Sequence, residues 1–128
     1  PFQIDLGFDI DFYCFQLLLR ASKQLLQCFL LYHRVVENIV RLEAEGNYTH
    51  FHFAEEPTKL VAQKLKFYEL QLPEKQFFRC HNSYIINRQY VLKYHHRGKG
   101  GYIKMSDGFE VAVSVRKKES FLNWLKNP

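Results

Sequence analysis

From Phe12 to Leu31 apolar residues recur in steps of three and four: Phe15, Leu18, Leu19, Leu25, Leu26 and Phe29, with Ser22 on the same stripe. That period predicts an amphipathic helix. Gln16, Arg20, Lys23, Gln24 and Gln27 lie off most of the stripe, and Asp5, Asp9 and Asp11 precede it, a charge order that suits a helix N-terminus. Beyond residue 33 the period shortens to two. Val35-Val36 is expected to begin a short strand, and residues 39–44 continue it or start another. Glu45-Gly46-Asn47 is a break. In Tyr48–Phe53, Thr49, Phe51 and Phe53 face one way and Tyr48, His50 and His52 the other. Residues 54–58, with Pro57, predict a turn. Leu60–Ala62 is a brief apolar run, and residues 63–72 suit about two helical turns ended by Pro73.

The last third reads mostly as strand. Residues 76–79 are expected to be extended, and residues 82–87 are too short to show a period and are predicted as a helical turn. Tyr90–His96 and Tyr102–Ser106 are predicted strands around a tip at Arg97–Gly101. Asp107-Gly108 signals a two-residue hairpin turn into Phe109–Val115, where Phe109, Val111, Val113 and Val115 share a face. Ser114 can cap a final helix with Lys118, Phe121, Leu122 and Leu125 on one side. The predicted fold is mainly β: a small antiparallel multi-sheet domain with short peripheral helices and an extra N-terminal amphipathic helix. Residues 1–31 form that helix and linker, and residues 32–128 the β domain.

Length allows one domain with a real core: 128 residues, 47% hydrophobic and 16% aromatic. The longest apolar run is Cys28–Tyr32, so no membrane span is expected. A start at Pro1 without Met or a basic leading segment argues against a signal peptide and for a trimmed fragment. Cys14, Cys28 and Cys80 form no CxxC, and read as free thiols in a reducing, cytoplasmic setting. Charge is uneven. Residues 1–74 hold 7 Lys/Arg against 10 Asp/Glu, whereas residues 75–128 hold 11 against 3. A half-chain this basic should attract phosphates, with nucleic acid the first partner to test.

Catalytic and metal chemistry find little support. His50 and His52 share a strand face and can bind a metal with a third ligand from His33, His81, His95 or His96, but no HExxH or CxxC accompanies them. No GxGxxG or Walker sequence is present, and neither cofactor nor enzymatic activity is expected. Cys80 stands between Arg79 and His81, neighbours that lower a thiol pKa, so redox control through Cys80 is a candidate.

Three motifs carry a resemblance. Glu43–Thr49, Phe77–Asn87 and Ser106–Lys118 together resemble the LytTR family, DNA-binding output domains of bacterial response regulators, over roughly Tyr32 to Leu125. The resemblance implies a predominantly β fold of about ten strands and loops entering successive major grooves of double-stranded DNA. It also implies binding to direct repeats, often under a receiver domain in a two-component system. By the same resemblance the stretch Arg79, His81, Asn82, Ser83 lies at the DNA surface, Arg116 enters a major groove, and the 46–50 turn is a second reading element. The chemistry of those residues is compatible. An Arg fork suits a phosphate or a guanine edge, and Asn82 offers donor and acceptor together to adenine. Ser114, Arg116, Lys117 and Lys118 with the amides of a starting helix can converge on phosphates. Asn47, Tyr48, Thr49 and His50 project if the turn does, and Lys93, Arg97 and Lys99 can follow a phosphate backbone. Two rivals remain at this level: a protein-interaction or membrane-associated regulatory domain using the N-terminal helix and a basic face, and a single-strand RNA binder using the many Tyr and Phe residues. The N-terminal stripe itself is expected to mediate homodimerisation or to pack on an upstream domain.

Overall fold

A computed structural model describes residues 12, 13, 15, 16 and 29–127, which fall into two units, residues 1–38 and 39–128. In the first unit Phe12, Tyr13, Phe15 and Gln16 are helical, and the Phe12 and Phe15 rings stack with centroids 6.0 Å apart. The rest of the stripe through Cys28 lies outside the described residues. A helix at Phe29–Asn38 follows, its last turn closed by Asn38 Nδ2 donating to the Arg34 carbonyl at 2.9 Å. Val35 and Val36 lie in this helix, not in a strand as their β-branched character suggested. Propensity is a weak prior, and here it is overridden.

The second unit is two antiparallel sheets. Strands β1 (Ile39–Glu45), β2 (Tyr48–Phe53), β3 (Lys59–Val61), β4 (Phe77–His81) and β5 (Tyr84–Asn87) form one in the order β3-β2-β1-β5-β4. Strands β6 (Val91–Arg97), β7 (Gly100–Met105) and β8 (Glu110–Val113) form the other, a meander. Residues 84–87 are thus a strand and not the predicted helical turn. Ile85 and Ile86 are both buried because each face of the five-stranded sheet is covered, and that removes the alternation which would have marked them.

One face carries Leu42, Phe51 and Ile85, and Phe51 meets Tyr68 of the Leu65–Gln71 helix edge-on at 4.8 Å. The other carries Ile86, Cys80 and Phe78, which join Ile103, Met105, Val111 and Val113 of the meander and Phe121 of the C-terminal helix, Lys118–Lys126, in one core. Arg41 lies between the sheets on this face. Its guanidinium sits 3.8 Å from the Phe109 ring centre, 3.3 Å from Glu43 and 3.4 Å from Asp107, so a buried cation has two carboxylates and an aromatic face.

Arg88 holds the C-terminal helix in place. It donates to the carbonyls of Lys75, Trp124 and Leu125 at 3.0, 2.5 and 3.1 Å and stacks over Trp124 at 4.0 Å, satisfying acceptors that a helix end leaves open. The β7–β8 connection is Ser106–Phe109, and the Met105 amide, donating to the Phe109 carbonyl at 3.0 Å, closes a three-residue loop, Ser106-Asp107-Gly108, rather than a two-residue turn. Gly108 takes φ 87°, and the Phe109 amide donates to Asp107 Oδ1 at 3.0 Å. Val115 also departs from expectation. The chain leaves the strand at Ser114 for a 3-10 turn, Val115–Lys117, so Val115 does not continue the inward face of Val111 and Val113.

Candidate nucleic-acid interface

Register places four loop segments at one end of the β unit. Glu45 pairs with Tyr48 across the Gly46-Asn47 turn, where Gly46 adopts φ 59°, a value that favours glycine at the first central position of a tight hairpin. His81 pairs with Tyr84 across Asn82-Ser83. Glu43 pairs with Tyr84, and the Ala44 amide donates to the Ser83 carbonyl at 2.8 Å, so both turns leave the same sheet edge. The second sheet is tied in by the Ser114 amide, which donates to the Cys80 carbonyl at 3.0 Å. Gly101 pairs with Val113, and the backbone of Gly100 is close enough that a Cβ there would lie 3.2 Å from the Val113 carbonyl oxygen. The Arg97–Lys99 tip therefore lies beside Ser114 and Val115.

Cations at this end divide by whether they already have partners. Arg79 is committed: it meets Glu69 Oε1 at 2.9 Å and donates to the Asn82 carbonyl at 2.7 Å, bracing the turn that presents Asn82. Arg97 lies over the Tyr102 ring at 4.6 Å, its chain still exposed. Among the described residues no carboxylate pairs with Lys99, Arg116, Lys117 or Lys118. Ser114 caps the turn that carries three of them, its Oγ accepting from the Lys117 amide at 3.3 Å. Arg116 is exposed, and Lys117 and Lys118 are half-buried. Cations at a helix start oppose its dipole, so local helix stability does not explain them.

The other candidates separate in the same way. Asn47 and Asn82 are exposed at their turn tips and Tyr48 is 48% exposed. Thr49 is corrected: it is fully buried, and its hydroxyl donates to the Gln63 carbonyl at 2.7 Å, because strand alternation puts it on the face of Phe51. It anchors the segment after β3 and does not reach outward. His50 pairs with Glu45, and His81 Nδ1 accepts from the Ser83 amide at 3.1 Å, shaping the turn. Ser83 is half-buried. Lys93 pairs with Lys104 in mid-strand, four residues and roughly 13 Å from the tip, and is not brought to this end. Sequence reasoning missed Glu45 and Glu69, whose contacts with His50 and Arg79 no local spacing announces.

Cys80 is also corrected. Burial pushes its thiol up to about 12, and its Sγ lies 3.6 Å from the Ala112 carbonyl, between the sheets. The neighbouring Arg79 and His81 do not activate it, since alternate residues of a strand face opposite ways. A thiol reagent is expected to label Cys80 in the folded domain far more slowly than in denaturant. Equal rates in the two conditions, read by mass spectrometry, would contradict its burial.

The His50 and His52 rings are 6.2 Å apart, each held by its own carboxylate, Glu45 and Glu43, with Thr58 also on His52. Among the described residues no cluster of three His, Cys, Asp or Glu side chains is arranged to hold a metal. Burial and then the Arg41 charge lower the His52 pKa below its ordinary value, outweighing the opposing pull of Glu43 and Asp107. The neutral ring's contribution to stability is therefore complete above pH 6.5 and is lost as pH falls through the lower folded value. The melting temperature should fall between pH 7.5 and 5.5, and the fall should be smaller in His52→Gln. An identical fall in both proteins would remove His52 as its source.

A family model described as LytTr DNA-binding domain matches residues 31–126. Among solved structures, the chain is similar to the LytTr DNA-binding domain of a protein described as a methyl-accepting/DNA response regulator from Bacillus cereus. Identity is 26%, the match covers 73% of this chain and 84% of that one, and the TM-score is 0.63. No curated protein matches the chain.

Proposed function

The chain belongs to the LytTR DNA-binding domain family, whose members are DNA-binding, non-catalytic modules, and from that premise we propose that it is the sequence-specific output domain of a bacterial transcription regulator working in a two-component system. The observation that carries this reading is the convergence of the Arg116–Lys118 cations, which have no carboxylate partner among the described residues, with the exposed turns at Asn47 and Asn82 on one end of the β unit. Lys117, Lys118, Lys99 and Arg97 supply attraction to phosphates and its salt dependence, while Arg116, Asn82 and the Asn47 turn discriminate bases. Among the described residues no helix is long and apolar enough to cross a membrane, and the basic end suits a duplex. Selection of bound duplexes from a random library tests the reading. A reproducible direct-repeat motif supports it, and indifference to sequence reduces the domain to charge attraction.

Residues 1–31, by this proposal, serve homodimerisation or dock an upstream receiver domain. Deleting them should keep the near-ultraviolet aromatic signal and binding to one repeat, but weaken cooperative binding to two. A deletion that abolishes both the signal and the binding would place these residues in the domain core.

A further inference from the structure

Val115 is 61% exposed, an apolar side chain left in water inside the most cationic segment of the chain. Its position is fixed from both sides. Ser114 before it is tied to the Cys80 carbonyl and caps the turn, and the Val115 carbonyl accepts from the Lys118 amide. On its flank stands Gly100, where a Cβ would come within 3.7 Å of Val115 Cγ2, so the absence of a side chain there leaves the valine uncovered. Val115 also forms one wall of an open groove of about 380 Å³ with Lys118 and Leu122.

We propose that Val115 reads thymine, making an apolar contact with its C5-methyl group in the major groove beside the base that Arg116 contacts. Three observations combine. The side chain is exposed, is presented from a capped turn, and precedes an exposed Arg that has no carboxylate partner among the described residues. The thymine methyl is the apolar mark on a major-groove edge, and a small aliphatic side chain matches it. Valine is β-branched and stiff about χ1, so little side-chain freedom is lost on contact. A phosphate-binding role would call for a polar side chain, and a core role would require burial.

This inference rests on the DNA-binding reading, and the experiment separates the two. Each thymine of the selected operator is replaced in turn by deoxyuridine, which lacks only the methyl group. Binding of the wild-type domain and of Val115→Ala is then measured on every duplex and on a random duplex. At one thymine, or at two adjacent ones, the replacement should weaken the wild type about three- to five-fold, the size expected for losing one buried methyl. Val115→Ala should lose a similar factor on the native operator and be insensitive to deoxyuridine at that position. Its melting temperature should match the wild type, since the side chain is exposed. If every deoxyuridine affects both proteins equally, the thymine contact is wrong although sequence-specific binding stands. If the wild type selects no sequence, the DNA-reading role and the Val115 contact fall together.

Discussion

Arg116→Ala should weaken binding to the selected operator by about 1–3 kcal/mol, roughly five- to 150-fold, while changing affinity for a random duplex far less. The expectation follows from how the arginines are distributed. Arg41 is buried between Glu43, Asp107 and the Phe109 ring, Arg79 is spent on Glu69 and the Asn82 carbonyl, and Arg88 caps the C-terminal helix. Arg116 is exposed, has no carboxylate partner among the described residues, and extends from a turn held by Ser114. A planar fork in that position can meet a guanine edge through two hydrogen bonds, which a phosphate contact does not require. Lys117→Ala provides the contrast. Its loss should be uniform across sequences, with the slope of log K against log salt smaller by about one. An Arg116→Ala variant that loses equally on operator and random duplex would make Arg116 another phosphate contact.

Phe121→Ala should destabilise the β domain by about 3–5 kcal/mol, a large part of the roughly 5–15 kcal/mol typical of a domain. Phe121 is fully buried, and its ring lies 5.8 Å from Phe78, 5.4 Å from Tyr94 and 6.0 Å from Trp124. It joins the five-stranded sheet, the meander and the C-terminal helix, so truncation opens a cavity where three elements meet. The same helix begins at Lys118, the last residue of the Arg116–Lys118 segment, and its loosening should weaken DNA binding as well. Urea unfolding should show a lower midpoint with an unchanged slope, and Phe121→Leu should recover most of the loss. A change below about 1 kcal/mol would mean that the helix is peripheral to the core.

Strands with one buried face were legible because alternation exposes them: β2 has the expected bounds, while β7 runs Gly100–Met105 against the expected Tyr102–Ser106 and β8 Glu110–Val113 against the expected Phe109–Val115. Strand β5 was not, since Ile85 and Ile86 are buried on opposite faces. Val35 and Val36 read as strand from their branching, but they belong to a helix whose start lies among residues that the strand period does not govern. Thr49 shows a signal that was present and overridden. The same alternation that placed it beside Phe51 should have removed it from the outward-facing set. Cys80 is of the same kind: Arg79 and His81 adjoin it in sequence but face away from it in the strand. Val115 and the Arg79–Glu69 pair depend on where a strand stops and which helix packs nearby, and neither is written in local spacing. The motifs at residues 43–49, 77–87 and 106–118 were legible as a set, and the fold brings the 46–47, 82–83 and 115–117 turns within them to one end through the Ala44–Ser83 and Ser114–Cys80 hydrogen bonds.

The most direct test of that shared surface is an amide chemical-shift titration of the domain with its selected duplex. Perturbations should concentrate at residues 46–48, 81–83, 97–100 and 114–118, with the Ser106–Gly108 loop and β3 unaffected. Perturbations centred on β3 or the 106–108 loop, with the Arg116 segment unmoved, would contradict the account.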